Sequence, residues 1–311
     1  MALSSLLFSI RKITGYRPIA FLIKGFLTIL SRTNKNKERM RQMKVFLSAD
    51  MEGTCGIVSW PETERSTPFD YTPMQKQMTR EVAAACRGVL AAGAEEVLVK
   101  DAHDSARNID PAGLPRGIRM NRAWSGDLLS MMNGLNQEKF DAVIFTGYHS
   151  WAGCPGNPLS HTMNGRNNHV ILNGTLCSEF LINTYTAGYY GVPVAMVTGD
   201  KALCDFAKEL IPAITTVPVN EGRGGGVTSL HPDEAVERIE AAAKEAVAKA
   251  DQCQVPMPEH FHMEIDFVKH HVAYSKHFYP GAYLKEDKIV CFDTDDWYEI
   301  LRFCHFVLSD G

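Results

Sequence analysis

Val45-Phe46-Leu47-Ser48-Ala49-Asp50-Met51-Glu52-Gly53 is the stretch on which the reading of this chain turns. Its first three residues form a short apolar run bounded by glycine, the pattern of a buried, parallel strand. Residues i and i+2 of an extended segment face the same way, so Asp50 and Glu52 are expected to project together from the strand's carboxyl end. Two adjacent carboxylates repel unless a cation sits between them, and a bound metal is the usual solution. Taken alone, Ser48 to Gly53 are better explained as a turn in which Asp50 caps the backbone and Glu52 faces solvent. What the rest of the chain brings to the same place decides between the two.

Downstream, strands and helices alternate. Gln75 to Ala92 reads as a helix, with Met78, Val82, Ala85, Val89 and Leu90 at helical spacing and Gly93 as its stop. Glu96 to Lys100 reads as a second strand that runs into Asp101-Ala102-His103. A helix is expected near Gly126–Leu135, and a third strand, Ala142 to Thr146, runs into Gly147-Tyr148-His149. Asn173-Gly174 between His169–Leu172 and Thr175–Cys177 is a two-residue hairpin signal. Glu179 opens a helix to about Tyr189, and Val192 to Val197 is a further buried strand ending at Gly199-Asp200. This βαβ alternation predicts an α/β fold with a mostly parallel sheet flanked by helices.

Past Val219 the texture changes. Glu221 to Gly226 reads as a flexible connection, His231 to Ala250 as an Ala/Glu/Lys helix, Phe261–Val268 and Ile289–Asp293 as strands, and Asp295–Leu308 as a closing helix. The expected organisation is a basic and apolar extension over residues 1–42, a metal-binding α/β domain over 43–220, and a smaller C-terminal α+β portion over 221–311.

Composition excludes several classes. The 311 residues are 45% hydrophobic and 22% charged with a net charge of −4, ordinary for a globular protein with a sizeable core. Residues 1–42 carry nine basic side chains against one acid, Glu38, while the remainder has 23 basic and 35 acidic residues. No general basic surface for nucleic acid exists, and the positive charge is local to the amino terminus. The apolar stretches there, Leu3–Ile10 and Pro18–Leu30 with Lys24 inside it, fall short of the roughly 20 apolar residues of a spanning helix. They also lack the basic-first order of a secretory signal, so the extension is read as lying outside the fold rather than as a membrane anchor. Eight cysteines form no Cys-x-x-Cys pair, which fits free thiols in the cytoplasm.

Three expected strands therefore end in Asp50/Glu52, His103 and His149. In open α/β sheets ligands bind beyond the carboxyl ends of the strands, so residues about fifty apart in sequence are delivered to one rim. Glu179, in the first turn of its helix, could close the set. Oxygen and imidazole donors without thiolate suit catalytic zinc, and also manganese or iron, and five donors allow two metals to share the aspartate.

Ser48-Ala49-Asp50-Met51-Glu52-Gly53, Asp101-Ala102-His103, Gly147-Tyr148-His149, Ser160-His161-Thr162-Met163 and Cys177-Ser178-Glu179 resemble the ordered motifs of the D-aminopeptidase family of dinuclear zinc metallopeptidases, the dipeptide-transport-associated type. The resemblance covers residues 43 to about 308. It implies that Asp50 bridges two zinc ions, that Glu52 and His103 complete one set of ligands, and that His149 and Glu179 complete the other. His161 matches the family's catalytic histidine, and a ring-like homo-oligomer, a decamer, acting on short peptides with D-alanyl amino termini is implied as well. One departure is Ser178, where the family usually has glycine before the last glutamate.

Other features are weaker. Gly222-Arg223-Gly224-Gly225-Gly226 lacks the Gly-Lys-Ser/Thr ending of a phosphate loop and reads as a hinge. His260, His262, His270, His271 and His277 share no ligand spacing and read as a histidine-rich surface. Asp200 is most simply an N-cap, and neither Cys55 nor Cys154 has a base beside it in sequence. The same donor set would serve a dinuclear amidase or phosphoesterase. A non-catalytic peptide-binding protein is the alternative outside enzymes.

Overall fold

A computed structural model describes residues 43–308; the expectations for residues 1–42 lie outside the described residues. Two sheets organise the chain. The larger has seven strands in the order β3-β2-β1-β4-β7-β8-β9, and the smaller has five in the order β11-β12-β10-β5-β6.

In the large sheet β1 (Met43–Ala49), β2 (Ala94–Asp101), β3 (Ile118–Asn121), β4 (Ala142–Tyr148), β7 (Val194–Asp200) and β8 (Thr215–Arg223) run parallel. Only β9 (Gly226–Ser229) is antiparallel, forming a hairpin with β8. Along β1 the side chains alternate between two cores. Val45, Leu47 and Ala49 pack on the side of α1 (Pro68–Ala91) and α4 (Pro232–Ala248). Phe46 packs on the opposite side with α2 (Glu179–Tyr189) and α3 (Lys201–Leu210). A strand covered on both faces needs apolar side chains at every position, which is why Val45-Phe46-Leu47 runs without alternation.

The small sheet is antiparallel: β5 (Asn167–Leu172), β6 (Thr175–Leu176), β10 (Phe261–Phe267), β11 (Tyr283–Glu286) and β12 (Ile289–Thr294). Its inner face packs on α6 (Trp297–Val307), and Leu181 and Ile182 of α2 join that core. The two sheets draw on both halves of the chain. β5 and β6 precede residue 220 yet belong to the small sheet, while β9 and α4 follow it yet belong to the large layer.

Several elements differ from the sequence expectation. α1 begins at Pro68 rather than Gln75, because Pro68 sits in the first turn where a missing N–H costs nothing, and Pro73 is carried inside the helix. The helix expected over Gly126–Leu135 is only a 3-10 turn, Ser130–Met132; Gly126, Ser130 and Gly134 all have positive φ and interrupt it. The short strands β3 and β11 and the helix α5 (His270–Lys276) carry too little periodicity to be read in advance. The expected hinge is instead the end of β8, a Gly224-Gly225 turn and the start of β9. The Asn173-Gly174 turn is a hairpin as expected, with φ of 49° and 80° at its two residues.

Topology fixes where a ligand can go. From β1 the chain moves outward through β2 and β3, then returns to β4 and moves the other way through β7 and β8. The crevice between the carboxyl ends of β1 and β4 is thus the switch point of the sheet. There the turn after β1 is pressed onto the end of β4, with Asp50 N–H donating to Thr146 O at 2.8 Å and Gly53 N–H to Gly147 O at 2.9 Å. A Cβ at residue 53 would lie 1.8 Å from the Tyr148 carbonyl oxygen, so only glycine permits the approach. Gly53→Ala is expected to destabilise the fold by about 2–4 kcal/mol in calorimetric unfolding. Gly225→Ala, which meets nothing within 4 Å, should stay within about 0.5 kcal/mol of wild type.

Candidate metal centre

Each donor reaches the switch point by a different element. Asp50 and Glu52 stand in the turn after β1, His103 follows β2, His149 follows β4, and Glu179 is the first residue of α2. All five are buried. Among the described residues, Asp50, Glu52 and His103 form one group of donor atoms within 4.8 Å of one another, and Asp50, His149 and Glu179 form a second. Asp50 belongs to both, so the five residues that the sequence nominates come together around one shared carboxylate. His161 Nε2 lies 3.4 Å from Glu179 Oε1 and 3.9 Å from Glu52 Oε1, and a third group joins it to Glu52 and His149.

The imidazoles are oriented by main-chain carbonyls. His103 Nε2–H donates to Thr63 O at 2.9 Å, which turns Nδ1 toward Glu52 Oε2 at 3.0 Å and Asp50 Oδ1 at 3.4 Å. His149 Nδ1–H donates to Ser150 O at 2.8 Å and leaves Nε2 at 3.5 Å from both Asp50 Oδ2 and Glu179 Oε2. His161 Nδ1–H donates to Leu159 O at 2.9 Å. A carbonyl can only accept, so the opposite ring nitrogen of each histidine is the one available to a cation.

The electrostatics fit the same conclusion. Burial, then the charge of Glu52, pushes Asp50 well above the usual carboxylate range. Burial also opposes ionisation of Glu52 and Glu179, but neighbouring imidazoles outweigh it and hold both low: His103 foremost for Glu52, His149 foremost for Glu179. Burial disfavours charge on His103 and His149 too, yet Glu52 and Glu179 respectively lead the carboxylates that raise them well above the imidazole range. Asp50 Oδ2, Glu52 Oε2 and His149 Nε2 are buried without a hydrogen-bond partner. Orphaned oxygen and nitrogen atoms aimed at one another fit divalent zinc, which would satisfy them and offset the charge.

Asp50, Glu52, His103, His161 and Glu179 line a cavity of about 600 Å³. Trp60, Trp124, Met131, Met163 and Leu308 give it apolar walls, and Glu64 and Asp104 add charge at its exposed mouth. The Trp60 ring lies 5.3 Å from that of His161, which stacks on His149 at 4.2 Å. These tryptophans sit on loops and 3-10 segments with no motif to announce them. Two second-layer contacts were equally invisible in the sequence. Met163 N–H donates to Glu179 Oε1 at 2.7 Å. Asp101 receives Asn108 N–H and Ile109 N–H, which ties down the loop after His103.

The remaining candidates are structural. Asp200 caps α3 by accepting from Leu203 N–H, and also accepts from Ser150 N–H beside His149. Ser178 caps α2 by accepting from Leu181 N–H at 3.2 Å, so the serine faces the helix end rather than lining the cavity. Cys55 donates to Leu230 O, and burial pushes its thiol up to about 12, which rules out a ready nucleophile. All eight cysteines are free.

Carboxylate and imidazole donors around a cavity at an α/β switch point are the arrangement of metal-dependent hydrolases. The chain belongs to the D-aminopeptidase family: the M55 peptidase family profile, described as D-aminopeptidase, matches residues 43–306. A D-aminopeptidase from Bacillus subtilis is 31% identical over 247 residues, spanning 78% of this chain and 88% of that protein. A solved structure described as a Zn-dependent D-aminopeptidase, DppA, from Bacillus subtilis, a self-compartmentalizing protease, superposes with a TM-score of 0.78. It is 28% identical and covers 86% of this chain and 99% of its own.

Behind the Asp50 turn, Glu81 of α1 accepts from Cys55 N–H at 3.0 Å and Gln77 Nε2 at 2.9 Å, while its Oε2 is buried and unpartnered. Burial raises it from 4.5 to about 7. Its folded value exceeds its unfolded one, so its contribution to stability is full below about pH 4.5 and is lost as pH rises through about 7. Glu81→Gln should remove a pH dependence worth about 3 kcal/mol. In denaturant unfolding, the variant should gain on wild type at pH 8 relative to pH 5.

Proposed function

We propose that this protein is a zinc-dependent aminopeptidase that hydrolyses short peptides with D-alanyl amino termini, in keeping with its family. The observation that carries the reading is the sharing of Asp50 between two buried donor groups. Asp50 is read as the bridging ligand of two zinc ions, with Glu52 and His103 completing one site and His149 and Glu179 the other. When bound, zinc supplies acidification of a water near neutral pH and polarisation of the scissile carbonyl.

The chain's own residues do the rest. Main-chain carbonyls hold His103 and His149 in the tautomers that present Nδ1 and Nε2 to the ions. His161, fixed through Nδ1–H, keeps Nε2 at the cavity, where it can accept a proton and, once protonated, donate to the developing oxyanion or pass that proton to the leaving amine. Trp60 packs beside that imidazole, its ring centroid 5.3 Å away. The preference for D-residues rests on the family rather than on spacing.

All of these residues fall within 43–220, the portion read as the metal-binding domain, with 221–311 as the smaller C-terminal portion. The self-compartmentalizing relative supports a closed homo-oligomer that admits only small peptides, a decamer on the family resemblance. Among the described residues no helix is long and apolar enough to cross a membrane. Eight free thiols support a cytoplasmic setting, and membrane contact by residues 1–42 is no part of the reading.

The test is bound-metal analysis together with turnover of D-Ala-D-Ala, L-Ala-L-Ala and a generic phosphoester. Bound zinc and preferential cleavage of D-Ala-D-Ala are expected. No metal and no turnover after zinc addition would overturn the enzyme reading, and phosphoester cleavage alone would replace the substrate class. Asp50→Ala should empty both positions, and Glu52→Ala should weaken mainly one. His161→Ala should keep the metal while kcat falls by about 10²–10³; loss of metal instead would make His161 a ligand.

A further inference from the structure

The histidine-rich segment set aside by the sequence acquires partners once the strands are paired. Along β10, Phe261, Met263, Ile265 and Phe267 point into the core, so His262 and Glu264 face outward. Along β12, Val290 and Phe292 point inward and leave Cys291 and Asp293 on the outer face. The antiparallel register sets His262 directly opposite Asp293 and Glu264 directly opposite Cys291. Four side chains with metal chemistry thus meet on one patch, far apart in sequence and adjacent in space.

We propose that this outer face of the small sheet is a second, thiolate-containing zinc site, built from His262 Nε2, Glu264 Oε1 and Cys291 Sγ. One donor atom from each of the three lies within 4.8 Å of the others. Asp293 Oδ1 stands 2.7 Å from His262 Nδ1 and takes its proton in a hydrogen bond, which aims the Nε2 lone pair at Glu264 Oε1, 3.2 Å away. This carboxylate-to-imidazole support is the usual orienting device behind a metal-bound histidine. Lys285 Nζ occupies only the other carboxylate oxygen, Glu264 Oε2, at 2.7 Å. Cys291 is wholly buried yet does not belong to the apolar core beneath the sheet, so its sulfur sits under the patch. Imidazole, carboxylate and thiolate together select zinc over calcium or magnesium, and a water would take the fourth tetrahedral position. An ion there would clamp β10 to β12.

The proposed catalytic centre has no thiolate among its donors, which makes the test specific. Cobalt(II) titrated into metal-depleted full-length protein should produce a thiolate-to-cobalt charge-transfer absorption. The band should persist in Asp50→Ala and vanish in Cys291→Ser. His262→Gln, at a partly exposed position, should lower total zinc by one ion per chain while peptidase turnover stays at the wild-type level. Absence of a thiolate band at any cobalt level would overturn the site. So would a band that survives Cys291→Ser, or unchanged zinc content in His262→Gln.

Discussion

The cost of holding Asp50, Glu52 and Glu179 out of water sets the terms for everything at the mouth of the large sheet. Removing one ionised carboxylate from water costs several kcal/mol even after relaxation, and three share one floor here. Main-chain N–H groups of Met51 and Met163 meet part of that demand, and three imidazoles meet more. An oxygen of Asp50 and one of Glu52 still have no hydrogen-bond partner. A core built only for stability would have filled this space with apolar side chains. The buried oxygens kept here instead are of the kind that divalent cations satisfy.

The backbone geometry answers to that centre. Three segments converge where β1 and β4 end, and glycine is what lets them do so. Gly53 and Gly199 both approach the Tyr148 carbonyl, and neither position has room for a Cβ. The strand order makes these ends neighbours, and close main-chain contact then brings carboxylates from one strand to imidazoles from the next. Helix α2 contributes Glu179 at its first residue, where the helix dipole favours a negative charge and Ser178 supplies the cap. Ser178 thus acts on the helix start and does not line the cavity.

Much of this was legible in the sequence because it is locally encoded. Uninterrupted Val/Ile/Leu/Phe runs mark strands buried on both faces, and polar residues at their carboxyl ends mark the rim. Asp50, Glu52, His103 and His149 were readable for that reason, and Glu179 as the acidic first residue of a helix. Short elements such as β3 and β11 were not, since four residues carry no measurable period. Helix α1 starts ahead of its apolar spacing, because Pro68 occupies the first turn, where its missing N–H costs nothing. Trp60, Trp124 and the Thr63 carbonyl were hidden for a different reason: they reach the centre through loops whose path only tertiary packing decides. The outer patch shows the same limit, since Glu264 and Cys291 become neighbours only through strand register.

The three imidazoles of the centre share one feature with an evolutionary consequence. His103, His149 and His161 are each locked into a tautomer by a peptide carbonyl, those of Thr63, Ser150 and Leu159. Such acceptors belong to the chain's path and are indifferent to which amino acid stands there. The proton inventory of the site can therefore persist while its supporting side chains diverge among relatives, and a comparison of residue identities would pass over what keeps it in order.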